Sequence, residues 1–64
     1  MVYFEIFKNK NNYIQPYWWV VKSAGNHQTL ATSEMYASKQ SAIHAINLVK
    51  GHASTAKTYD STGE

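Results

Sequence analysis

The sequence predicts an α+β domain, an antiparallel sheet packed against one helix. Three features predict it. The early part of the chain alternates its residues with the period of a strand. A later stretch sets alanine and aliphatic residues at helical spacing behind a serine cap. Short polar turns join the early runs, which is how a meander is built. Sixty-four residues hold a single domain, 1–64.

Over residues 2–8, Val2, Phe4 and Ile6 share one face, and Tyr3, Glu5 and Phe7 share the other. The aromatic and β-branched content fits a strand. Asn9-Lys10-Asn11-Asn12 tolerates left-handed backbone and reads as a hairpin turn. The second strand spans 17–23. Pro16 has no N–H for a ladder, so the strand starts after it or bulges at it. Tyr17, Trp19 and Val21 then share a face opposite Trp18, Val20 and Lys22. Ala24-Gly25-Asn26 gives a second turn, and 28–33 a third strand whose only large apolar residue is Leu30.

The helix is predicted over 39–50, with Ser38 as N-cap and Gly51 at the left-handed position that ends it. Ala42, Ala45, Ile46 and Val49 form its apolar stripe, with Ile43 on the flank. Gln40, His44 and Asn47 fall on the far side and face water. Leu48 lies off the stripe, where a lone protomer gives it no partner. Residues 56–62 read as a fourth strand, with Thr58 and Tyr59 its best β-formers. The order is therefore β-β-β-α-β.

A chain this short buries only ~60% of its unfolded surface, and small domains usually add a disulfide, a metal or a partner chain. Cysteine is absent, which removes disulfides and zinc–thiolate sites. Self-association is the remaining source of stability, so a homodimer is expected. The N-terminal stretch lacks the pattern of a secretory leader. The longest apolar run, Tyr17 to Val21, is too short to span a bilayer. The expectation is a soluble, cytoplasmic protein with no membrane partner.

Net charge is +2, from six scattered lysines and no arginine. That argues against nucleic acid, since arginine makes the commonest specific base contacts. His44 and His52 are separated by Gly51, and His27 has no neighbouring carboxylate to orient it, so no metal site is expected. The carboxylates Glu5, Glu34, Asp60 and Glu64 form no evident acid–base pair. Neither a nucleophile elbow nor a phosphate-binding glycine loop occurs. The chain is read as a non-enzyme without catalytic residues or cofactor.

The stretch Ser33-Glu34-Met35-Tyr36-Ala37-Ser38-Lys39, followed by Ala42, Ile46, Val49 and Lys50, resembles the YegP-like family of small prokaryotic proteins. The similarity extends through Phe4-Glu5-Ile6-Phe7-Lys8, through Trp19, Val21 and Lys22, and on to Ala56 and Asp60. The resemblance implies a homodimer in which two β-β-β-α-β units share a sheet by exchanging their C-terminal strands. Residues 56–62 would cross to the partner, with Thr58, Tyr59 and Asp60 as dimer contacts. Exchange would also cover sheet edges that otherwise stay open. The family has no established reaction to carry over.

By the same analogy, Phe4, Ile6, Trp19 and Val21 face the helix. The opposite face then carries Tyr3, Phe7, Trp18, Val20 and Lys22, with Lys8 beside it, and is the candidate binding surface. Its occupant is read as a protein. The alternative is single-stranded nucleic acid stacked on the aromatic rings. Tyr36 is read as an anchor for its loop.

Overall fold

A computed structural model describes all residues 1–64. Strands β1 (Val2–Lys8), β2 (Tyr17–Ser23) and β3 (Thr29–Thr32) are followed by helix α1 (Lys39–His52) and a 3₁₀ turn, Ala53–Thr55. The strands form one antiparallel sheet in the order β1-β2-β3, with β2 central. No helix is long and apolar enough to cross a membrane.

Register decides what each face carries. Phe4 opposes Val21 and Ile6 opposes Trp19, so these four lie on the side covered by α1. There Trp19, Ala42 and Ile46 make the core, with Ala42 wholly buried and Phe4, Ile6, Tyr17, Val21, Tyr36 and Ala45 packed around them. An alanine at 42 lets the helix backbone approach the Trp19 indole closely. Phe4 meets that ring edge-on, at 5.5 Å between centroids and 66° between planes.

Pro16 lies just outside β2 and is buried. Its carbonyl accepts the Asn9 N–H at 2.7 Å, a bond that needs no donor from proline. The β1–β2 connection is longer than a tight hairpin and is held by asparagine side chains. Asn9 Oδ1 accepts from Asn11 N, and Asn12 Oδ1 accepts from both Ile14 N and Gln15 N.

The third strand is shorter than the expected 28–33. A bulge between Val21 and Lys22 breaks its pairing, since Ala31 opposes Val21 while Thr29 opposes Lys22. Bonds continue beyond its ends, from Ser23 N to Gln28 O and from Ser33 N to Trp19 O. Tyr17 and Tyr36 then exchange both backbone bonds in an isolated bridge, which carries the Glu34–Ala37 loop alongside β2.

Ser38 caps α1 as expected, its Oγ accepting from Ser41 N at 3.0 Å. The expected stop at Gly51 is overturned. The helix runs through Gly51 to His52, and only Gly63 among the glycines has a positive φ. The Ala53 N–H reaches Val49 O and the Ala56 N–H reaches Ala53 O, so the last carbonyls find donors without a left-handed turn. Gln40, His44 and Asn47 are exposed, whereas Val49 of the apolar stripe stays 39% exposed at an open flank.

Residues 56–62 form no strand within the single chain. All of 56–64 are exposed, and the backbone leaves the 3₁₀ turn extended at Ala56 (φ −67°, ψ 139°).

Candidate functional site

The face of the sheet turned away from α1 holds three cross-strand pairs: Tyr3 with Lys22, Glu5 with Val20, and Phe7 with Trp18. Alternation therefore brings Tyr3, Phe7, Trp18, Val20 and Lys22 onto one surface. The side chains there are already engaged. Phe7 and Trp18 stack at 5.3 Å with 22° between their planes. Lys22 Nζ meets Glu5 Oε1 at 3.2 Å. The Tyr3 hydroxyl and His27 Nδ1 lie 3.0 Å apart, with the rings edge-to-face. Val20 is 7% exposed even though no second layer covers this face.

Lys8 does not sit beside these rings. It pairs with Tyr17 and shares the helix-side face, with its ammonium 5.4 Å from the Tyr17 centroid. Each residue of the Phe7–Trp18 stack turns one ring face to the other. That removes much of the platform that bases would stack on. What remains is a half-buried aromatic ridge beside a shallow depression lined by Asn9, Trp18, Thr32, Ser33 and Met35.

The opposite side is less complete. Asn9 N bonds Pro16 O and Ala24 N bonds Met1 O, so the odd-numbered residues of β1 face β2 along the ladder. Val2, Phe4, Ile6 and Lys8 accordingly direct their backbone N–H and C=O groups outward, along a free edge. Between that edge and α1 runs an open trough of about 860 Å³, floored by Phe4, Ile6 and Val21 and walled by Ile43, Ile46 and Val49. Nine of its eleven lining residues are hydrophobic, the composition of a domain interior.

The tail residues Thr58, Tyr59 and Asp60 are exposed and belong to no strand of the single chain. Asp60 Oδ1 accepts from Thr62 Oγ1 at 2.7 Å and from Thr62 N at 2.9 Å. These bonds, the hydroxyl's first, hold the Asp60 carboxyl below its ordinary 3.8. No three His, Cys, Asp or Glu side chains gather to hold a metal.

Sequence reasoning missed Ser33. Its Oγ accepts the Trp19 N–H at 2.9 Å and donates to Glu34 O at 2.8 Å, replacing a backbone acceptor where the ladder runs out. The signal available was its place at the head of the Ser-Glu-x-Tyr segment. It also missed the Tyr3–His27 contact, although His27 stands in left-handed backbone at φ 58°. One polar atom of the core has no acceptor in the single chain, the indole Nε1 of Trp19.

Fold and surfaces together define a small α+β unit with one self-engaged sheet face and one unfilled apolar flank. Residues 16–60 match the model of a domain of unknown function, DUF1508. UPF0339 proteins of Neisseria meningitidis serogroups B and A are each 43% identical to this chain over 49 residues, covering 77% of the chain and 80% of the relative. A UPF0339 protein of Acinetobacter baylyi is 48% identical over 40 residues, which is 62% of this chain and 36% of that longer protein. The chain belongs to this YegP-like family of uncharacterised proteins. No solved structure matches it.

Proposed function

We propose that the chain is a cytoplasmic, non-enzymatic interaction module that works as a homodimer. In it, residues 56–62 of each copy add a strand along the free β1 edge of the other and cover the trough under α1. The observation that carries this is surplus surface. The chain exposes 5317 Å², whereas a folded monomer of 7.3 kDa is expected to expose about 4,200 Å². The excess, about 1,100 Å² per chain, exceeds the roughly 800 Å² that each partner contributes to a standard protein interface.

The trough and the tail supply complementary halves. One offers outward backbone groups over an apolar floor, and the other is a segment with no ladder partner of its own. Removing Phe4, Ile6 and Val49 from water on both copies is the main driving force. With the helix side closed in this way, the ridge of Tyr3, Phe7 and Trp18 is left to meet a second protein. Tyrosine and tryptophan are favoured at such contacts, and the lack of arginine and the position of Lys8 disfavour nucleic acid.

Mixing isotope-labelled and unlabelled chains tests the arrangement. Intermolecular nuclear Overhauser contacts are expected between residues 58–60 of one chain and the Val2–Lys8 edge of the other. Contacts confined to a single chain would overturn it.

A further inference from the structure

The tip of the β1–β2 loop presents a pair of side chains that neither the proposed strand exchange nor the aromatic ridge uses. Tyr13 is 92% exposed and Ile14 82%, side by side at the tip of a loop whose backbone is firmly tied. Asn12 Oδ1 holds Ile14 N at 3.1 Å and Gln15 N at 3.0 Å, Asn9 O holds Asn12 N at 3.1 Å, and Pro16 O holds Asn9 N at 2.7 Å. An apolar pair is therefore held out in water by fixed turns. A contact made there needs little further ordering.

The surroundings are basic. Lys8 and Lys10 line one depression with Tyr13, and Lys8 and Lys39 line the adjoining one. Half of the six lysines thus gather at this end of the molecule. The one carboxylate among these residues, Glu5, is already paired with Lys22. Tyr13 and Ile14 project almost fully into solvent, a disposition suited to entering a yielding surface. Tyrosine suits the boundary between headgroups and acyl chains, and lysine stems extend along apolar surface while keeping their charge at the headgroups. Clustered lysines beside exposed apolar side chains characterise contact with anionic lipid, whereas lysine is depleted from protein interfaces.

We propose that this loop adsorbs to an anionic lipid surface, with Tyr13 and Ile14 entering the headgroup region and Lys8, Lys10 and Lys39 meeting lipid phosphates. The sequence expectation of no membrane partner rested on the lack of a span and a leader. Adsorption from one side needs neither. The loop tip also precedes residues 16–60, the part that the family model matches.

Cosedimentation of the full chain with vesicles tests this. Binding is expected to vesicles of equal parts phosphatidylglycerol and phosphatidylcholine at about 50 mM salt, and not to phosphatidylcholine alone. It should be lost near ~0.5 M salt as screening shortens the reach of the lysines. The Y13S/I14S double variant, whose changes touch no core residue, should keep its circular dichroism spectrum and lose binding roughly fivefold or more. The K8Q/K10Q variant should lose as much. Failure to bind the anionic vesicles at low salt, equal binding to both vesicle types, or full binding by Y13S/I14S would each overturn the proposal.

Discussion

Ser33 shows how much one hydroxyl carries in a domain with few buried groups. Its oxygen is the acceptor for the half-buried Trp19 N–H, beside the indole that anchors the core. Ser33→Ala leaves that donor without a partner and should cost about 1–2 kcal/mol, lowering the melting temperature by roughly 5–10 °C. Ser33→Thr keeps the oxygen and should melt near the parent. Asp60 gives a second check. Its carboxyl is held below 3.8 by the Thr62 hydroxyl and then by the Thr62 N–H. The ionised form is thus the favoured one in the fold, and the turn is supported above the unfolded carboxylate range and loses support as pH falls through the lowered value. A carbon-detected titration should give a midpoint below 3.8. Thr62→Val should move it back up, though not fully, because the backbone bond survives. An unchanged midpoint in that variant would mean the hydroxyl plays no part. The sequence pattern made Tyr3, Phe7, Trp18, Val20 and Lys22 legible as one face, because alternation alone assigns them. It equally placed Lys8 with the even-numbered side, against its expected position beside the rings. The Ser33–Trp19 and Tyr3–His27 contacts were not legible, since they depend on register between segments fourteen and twenty-four residues apart.

At the scale of elements, the strands and helix follow from period and capping, while their ends follow from tertiary partners. Gly51 is the clearest case. Glycine after a helical stripe signals a left-handed stop, yet here the last carbonyls find N–H donors as the chain continues into Ala53–Thr55. Ala53 then helps line the trough beside Val2. A Cβ at Gly51 meets nothing within 4 Å. Gly51→Ala should therefore stabilise the chain by about 0.5 kcal/mol, measured by denaturant unfolding, because alanine loses less freedom in a helix. If the glycine instead held the left-handed backbone expected from sequence, the same change would destabilise by about 1 kcal/mol. The bulge that shortens β3 was likewise invisible in sequence. Nothing in Thr29-Leu30-Ala31-Thr32 forbids a regular ladder, and the break appears only in the pairing with Val21 and Lys22. It leaves β3 short and irregular, which makes that edge a poor template for further strands.

At the scale of the whole molecule, the single chain buries little of itself. Only five of its 64 residues are buried. Its radius of gyration is 13.6 Å, against about 11 Å for a compact chain of this length. A short chain without cysteine and an open apolar trough both favour the proposed dimer. Deleting residues 56–64 should leave a chain that no longer dimerises and loses most of its thermal stability, with the trough residues Phe4, Ile6 and Val49 open to solvent. A parent chain whose melting temperature rises with concentration would agree with this, because mass action favours the associated state. The most direct measurement is the mass of the full chain by light scattering at tens of micromolar. The expected mass is about twice 7.3 kDa. A stable, folded species at the single-chain mass would contradict it.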